Sequence, residues 1–398
     1  MIRLDSPCNL DGEMCQIPDA PILIDSAAFY PALQLGEELD HGSYGRIVKA
    51  NRALCYDRDG TFWRLEDFAE IVCKINDIEI AEDEVDSPHV EDYYADEIQA
   101  VLNEAILHAL ASHVMTLRGF PTVIPAIYEV LAISPKQSIY VPSDIESIVL
   151  GMEFVEGATL HKFMADEFPV ARNAKEIARN DRLLMDVLIQ LSIYLEILQH
   201  DLRFNHRDLK TNNVLRRTQP AGWNRHFQHA ALSRPWIAFH DLVLIDFGFS
   251  CVACREDNTS LVQAGGWFKP EHDCLKGGRD LALFLHCLQV YFPLQKRISQ
   301  RLWDTLHAAT RVQGLEGEPS LLDYGVKEDG TIDWTTAPTG YFIFTDGIYR
   351  LLRKKDVDVV GCKPAILLGA LDSLRKNSAL IPEKIELAEG SPQDAELR

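Results

Sequence analysis

Apolar residues are spaced in two different ways along this chain. Up to about residue 155 they alternate or form short runs: YGRIVKANRALCY, then AEIVCKI, VIPAIYEVLAI and ESIVLGMEFV, the last rich in β-branched residues. Such runs predict strands, with a turn at DRDG after the first. One helical repeat, EIQAVLNEAILHALAS, lies among them. Farther on, residues 183 to 202 (LLMDVLIQLSIYLEILQHDL) and 280 to 292 (DLALFLHCLQVYF) are apolar over most of a helix circumference, and Pro293 ends the second. Helices apolar all round are core helices, so the pattern predicts a strand-rich part followed by a bundle built around these two. The sequence has no internal repeat and no low-complexity block.

At 398 residues the chain exceeds the size at which single cores stop growing, which favours one large two-part unit or two domains. A net charge of -21 argues against a binder of nucleic-acid backbones, which needs a basic face. The N-terminus lacks a basic segment followed by an apolar run, and no stretch of about eighteen uninterrupted apolar residues occurs. These features lead to the expectation of a soluble chain, cytoplasmic with the nucleus as alternative, engaging neither nucleic acid nor membrane. Nine cysteines, an odd number, suit a reducing compartment better than a disulfide framework. Between Asp77 and Glu97 ten acids occur with no Lys or Arg. That stretch reads as a solvated loop leading into a helix, with a docking surface for a basic partner as the alternative. The tail after Pro382 is polar and expected to fray.

The chemistry concentrates in FNHRDLKTNNVL, residues 204 to 215, which packs His206, Arg207, Asp208, Lys210 and Asn213 between apolar flanks. Farther on, LVLIDFGFS is a short apolar strand ending in Asp246-Phe247-Gly248. Acids at the mouths of two short strands suit a divalent cation, since Mg²⁺ takes carboxylate and amide oxygens while binding phosphates. In order and spacing, HRDLKTNN and DFG resemble the catalytic loop and metal loop of eukaryotic-type protein kinases. His200, six residues before His206, also occurs often in that family.

The resemblance implies a full set of further residues. LDHGSYGRIVKA, with Gly42, Tyr44, Gly45 and Ile47, resembles the glycine-rich loop over ATP phosphates, although Asp40 replaces its first glycine. Lys74 in AEIVCKI resembles the strand lysine that holds the α and β phosphates, and its expected partner is Glu104 on the following helix, with Glu97 the second choice. Met152 would be the gatekeeper, and the backbone of Glu153 and Val155 would bind the adenine edge. Asp280 resembles the acid that braces the catalytic loop, beside its plainer reading as a helix cap; Ala282 and Leu285 stand where the family has tryptophan and glycine. By resemblance Asp208 accepts the proton of the attacking hydroxyl, Lys210 meets the γ-phosphate as in serine/threonine kinases, and Asn213 and Asp246 hold Mg²⁺. His206 is structural, and so is Arg207, which would meet a phosphate on Thr259 or Ser260. After Gly248 the match weakens: no Ala-Pro-Glu occurs, and KPE at 269 to 271 is a partial substitute. Cys251, Cys254, His272 and Cys274 form a possible zinc set, against the commoner reading of buried or incidental cysteines.

The fold class implied is α+β, a two-lobed protein-kinase fold: a small antiparallel sheet with one main helix at 31–155, carrying the acidic insert 77–97, then a larger mainly helical lobe at 156–380. An extension at 1–30 and a tail at 381–398 flank it. The activity implied is transfer of the γ-phosphate of Mg·ATP to serine or threonine hydroxyls of protein substrates. The main alternative is a pseudokinase acting as a nucleotide-binding or protein-binding scaffold. Asp40 motivates it, since a carboxylate about 6 Å from a phosphate would cost roughly 3 kcal/mol at an effective dielectric near 20. A small-molecule kinase is a third reading, disfavoured by Arg207 and Lys210.

Overall fold

The computed structural model describes residues 22–25, 35–42, 45–50, 54–56, 62–64, 71–78, 90–134, 144–265, 268, 272–327, 331–333 and 346–376. The expected turn at 57–60, Tyr44 of the glycine-rich turn, the acidic stretch 79–89, the 269–271 triplet and the tail from 377 lie outside these residues, as does the side chain of Asp40.

Among the early strands, Leu54–Tyr56 and Phe62–Arg64 pair with each other in a separate antiparallel hairpin, while the other six form one sheet. Its members are β1 (Ile22–Asp25), β2 (Leu35–Gly42), β3 (Gly45–Ala50), β4 (Ile71–Asp77), β5 (Ile127–Ser134) and β6 (Ser147–Glu153), in the order β1-β5-β6-β4-β3-β2. Most pairs are antiparallel, and the register puts Gly42 opposite Gly45, Ile47 opposite Lys74 and Lys74 opposite Leu150. One expectation is corrected. Residues 22–25, assigned to an N-terminal extension, add a parallel edge strand against β5, so the sheet is not purely antiparallel. The long connection from β1 to β5 makes such a pairing sterically available, and the apolar ILID supplies side chains suited to it.

Helix α1 (Val90–Leu117) begins seven residues before the expected Glu97. The acids at 91, 92, 96 and 97 occupy its first two turns, and negative charge there is favourable near the unsatisfied N-terminal amides. The acidic run therefore helps start the helix. Gly119, with φ +85°, ends it in a left-handed turn that lets Phe120 N donate to Met115 O at 2.8 Å. Residues Ile98 and Ala105 of α1 pack with the sheet, whereas Ile106 to Met115 join the large helical core.

That core is built on α3 (Ala174–Leu202) and α4 (Arg279–Tyr291), preceded by α2 (Leu160–Glu167) and followed by α5 (Gln300–Ala309), α6 (Asp346–Arg353) and α7 (Pro364–Lys376). Asn173 caps α3, its side chain accepting from Glu176 N at 3.0 Å, which moves the start back from the expected 183. By length and hydropathy α1 and α3 could each cross a membrane, but 78% of the most apolar part of α3 is buried inside the protein, as in a core helix. Three short strands, β7 (Gly157–Thr159), β9 (Val214–Arg217) and β10 (Asp241–Leu244), pair in the order β10-β9-β7; β8 (Phe204–Asn205) pairs with β11 (Cys251–Ala253), and β11 with β12 (Ser260–Gln263). These small ladders fix the loops that carry the polar residues.

Candidate functional site

Lys74, on the central strand β4, meets two acids distant in sequence. Its Nζ lies 2.6 Å from Glu104 Oε1 and 3.1 Å from Asp246 Oδ1. Glu97 is exposed on an earlier turn of α1. Lys74 and Glu104 are only 8% and 6% exposed, and charges so far from water persist only when paired. Burial works against the Lys74 charge, yet Asp246 and Glu104 together hold its pKa above the ordinary value. Burial likewise opposes the Asp246 carboxylate, but Lys74 outweighs it and pulls that pKa down. Glu104 carries the cost of two acids sharing one lysine: burial, with Asp246 nearby, pushes it up against the pull of Lys74.

The loop after α3 begins at Arg203, which closes the helix in the left-handed region at φ 54°. Pairing of β9 with β10, Val214 opposite Leu244, brings Asn213 and Asp246 to neighbouring strand ends, and Ile245 N donates to Asn213 O at 3.1 Å. Asp208, 2% exposed, accepts at Oδ2 from Lys210 Nζ (2.9 Å) and from Asn213 Nδ2 (2.8 Å). Asn213 Nδ2 also donates to the Asp208 carbonyl, so the amide oxygen Oδ1 is the atom it can offer a cation. Asp280 lies within the first turn of α4 rather than capping it; Gly278 is the cap. Its carboxylate accepts from His206 N (2.9 Å), Arg207 N (2.8 Å) and Asn205 Nδ2 (2.9 Å), all buried. Arg207 and Asp246 have φ of 64° and 63°, conformations that cost non-glycine residues energy and persist where surroundings enforce them. For Arg207 the enforcing contact is Asp280.

A column of rings links the two halves of the site. Phe247 lies 5.2 Å from His206 and 4.7 Å from His108 between ring centroids. His108 was not singled out from the sequence, yet it sits one helical turn after Glu104, on the same face, and that spacing was the available signal. Its Nε2–H donates to Pro125 O at 2.7 Å, and burial lowers its pKa to about 4. The neutral ring is therefore built in. Its folded value lies below the unfolded 6.5, so the associated stability is complete above pH 6.5 and disappears as pH falls through about 4, a change on the order of 3 kcal/mol. Urea unfolding should show His108→Gln, which keeps a donor but cannot titrate, losing less stability than the wild type between pH 6.5 and 4. Parallel pH profiles would contradict this.

Arg207 is fully buried, its guanidinium 4.2 Å from the Phe268 ring centre and NH1 donating to Gln263 Oε1 at 3.2 Å. The same Gln263 oxygen accepts from Ser260 Oγ at 3.0 Å, so an amide stands between the two residues expected to meet through a phosphate. Thr259 is exposed and hydrogen-bonds Asp257. The zinc reading is corrected. Cys251 and Cys274 form a disulfide that ties β11 to the approach to α4, which consumes two of the four candidate ligands and also departs from the expectation of reduced cysteines. Among the described residues no group of three or more His, Cys, Asp or Glu side chains is arranged to hold a metal ion.

At the glycine-rich turn, Gly45 has φ +133° and a Cβ there would sit 2.2 Å from Ile75 O. Glycine is therefore required by the β3–β4 approach itself. Ile47 is half-buried opposite Lys74. At the end of β6, Met152 packs on the α1–sheet cluster, Val155 is buried, and Glu153 N donates to Ala126 O at 2.9 Å while its carboxylate pairs with Arg217 at 3.0 Å. Tyr349, on α6, completes the site: its hydroxyl donates to Asp208 Oδ1. Nothing near residue 349 in the sequence marks it.

No protein-family model matches the chain, and no curated protein matches it. Among solved structures, a twitchin kinase fragment from C. elegans is similar at 16% identity and a TM-score of 0.32 over 57% of this chain and 34% of that one. The autoinhibited serine kinase domain of the giant muscle protein titin is similar at 15% identity and a TM-score of 0.30, over 55% of this chain and 46% of that one. The chain thus spans less than half the length of these structures. TM-scores in this range carry no argument about fold or activity.

Proposed function

We propose that this chain is a protein kinase that transfers the γ-phosphate of ATP, with Mg²⁺, to serine and threonine hydroxyls of protein substrates. The strand-rich part and the helical part would be the two lobes of a kinase fold, joined at Met152 to Val155. The observation that carries the reading is the convergence of six polar residues from four segments: Lys74, Glu104 and Asp246 in one ion cluster, with Asp208, Lys210 and Asn213 beside it.

The donor set fits the implied cofactors. Asp246 has a carboxylate side chain 38% exposed, next to the buried lysine, and Asn213 has its amide nitrogen fixed with its oxygen left to coordinate. Bound by these two oxygens, Mg²⁺ would neutralise phosphate charge. Lys74, held by Glu104, would fix the α and β phosphates. Gly42 and Gly45 bound the turn that would cover them, with Tyr44 between and Ile47 following. The Glu153 and Val155 backbone would meet the adenine edge. Asp208 would take the proton of the attacking hydroxyl, with Lys210 beside it for the γ-phosphate. One observation favours a non-catalytic scaffold: Tyr349 holds Asp208.

Thermal unfolding with nucleotide tests the site. ATP at about 100 times its Kd should stabilise the wild type by about 2.7 kcal/mol when Mg²⁺ is present. The effect should vanish in Asp246→Asn. No stabilisation of the wild type, or equal stabilisation of the variant, would contradict the reading.

A further inference from the structure

Helix α6 reaches the site from far along the chain. Ile348, Leu351 and Leu352 are buried in the main core, so the helix is docked through its apolar face. Tyr349, half-buried, stacks on Phe249 with ring centroids 6.0 Å apart and planes 12° from parallel, and its hydroxyl donates to Asp208 Oδ1. Asp208 Oδ2 already accepts from Lys210 and Asn213. Both oxygens of the carboxylate are therefore engaged. An acceptor hydroxyl entering for phosphoryl transfer must hydrogen-bond this same carboxylate, and the oxygen not facing Lys210 and Asn213 is the one Tyr349 holds.

We propose that Tyr349 is an internal occupant of the acceptor-hydroxyl position, so that this conformation of the chain is closed to protein substrates and opens when the phenol is displaced. The inference rests on the reading of Asp208 as proton acceptor. Burial and the adjacent Asp208 raise the phenol's pKa well above its ordinary value, so it remains a neutral donor at any physiological pH. The Phe249 stack holds the ring over the turn that carries Asp246. The block competes with protein substrate and leaves the nucleotide residues Lys74 and Asp246 in place, so its signature is in the KM for protein, as for any protein whose competent state is only partly populated.

Tyr349→Phe keeps the ring and removes the hydroxyl. Hydrogen bonds to charged groups have the strength to hold a closed state by about 10- to 100-fold. The variant should therefore lower the KM for a protein substrate by about that factor, with kcat and the KM for ATP unchanged. A second readout needs no activity: Tyr349→Phe should lower the urea midpoint of the wild type but not that of Asp208→Ala, where the carboxylate is gone. Transfer by the wild type with an unchanged or higher KM in Tyr349→Phe would overturn the proposal alone. Equal midpoint shifts in both backgrounds would overturn the contact, and phosphate found on Tyr349 would make it an acceptor instead of a block. Absence of transfer in wild type and variant alike would overturn the kinase reading and this proposal with it.

Discussion

Asp208→Asn should slow phosphoryl transfer by about 10²- to 10⁴-fold, the usual contribution of a positioned general base, while leaving the chain folded. The substitution is nearly isosteric. An asparagine oxygen can still accept from Lys210 and Asn213, which bond Asp208 Oδ2 at 2.9 and 2.8 Å, and its NH₂ can donate to the Tyr349 oxygen. The one donor that loses its acceptor is the Tyr349 hydroxyl, so the urea midpoint should fall by about the step expected for Tyr349→Phe and no further. What disappears is the anionic oxygen that, in the proposed function, would take the proton of the attacking hydroxyl. The Mg·ATP stabilisation should persist, because Lys74, Glu104 and Asp246 form their own cluster. A fall in kcat at constant nucleotide affinity separates a chemical role from a structural one.

The second large effect is expected at Asp280, and it is one of stability. Asp280→Ala removes the acceptor for two backbone N–H groups and the Asn205 amide, all within 2.9 Å and all buried. Each orphaned donor costs about 1–3 kcal/mol, and with partial relaxation the loss should total about 3–5 kcal/mol in urea unfolding. Asp280→Asn keeps one oxygen and should lose about half as much. Activity should fall further than stability accounts for, because the left-handed backbone at Arg207 depends on this brace and Asp208 is the next residue. A loss below about 1 kcal/mol for Asp280→Ala would mean that the loop is held by something else.

The parts of this site visible in the sequence are those whose chemistry is local. HRDLKTNN and DFG carry their residue types within a few positions, and the helix before and the strand after are set by apolar periodicity. Lys74 and Glu104 are separated by a long acidic segment, but each lies on a strong local pattern, so the partner could be chosen by helical spacing. His108 follows from the same spacing and needed only the observation that Phe247 packs on that face. Gln263, the Cys251–Cys274 disulfide and Tyr349 have no such local signature. They come from a stretch where the family pattern lapses and from a helix far along the chain, and their positions depend on tertiary packing. The start of α1 was misplaced for a physical reason as well: acids read as loop formers are also good residues for a helix N-terminus.

Glycine at 45 is required by the backbone itself, whatever the turn binds. Its residue type was attributed to phosphate approach, whereas the positive φ and the 2.2 Å clearance to Ile75 O already exclude a side chain. The ion cluster is different. A lysine 8% exposed between two acids, beside a third acid held by lysine and amide, is an expensive arrangement for structure alone, and perturbed charges of this kind concentrate at functional sites.

The central claim is that this cluster moves phosphate onto serine and threonine. Its most direct test is label transfer from γ-labelled ATP with Mg²⁺ to a mixture of proteins, followed by phosphoamino-acid analysis, for the wild type beside Asp208→Asn. The account predicts labelled phosphoserine and phosphothreonine with the wild type and at most about one hundredth of that with the variant. Equal labelling by the two proteins, or none by the wild type and by Tyr349→Phe alike, would contradict it.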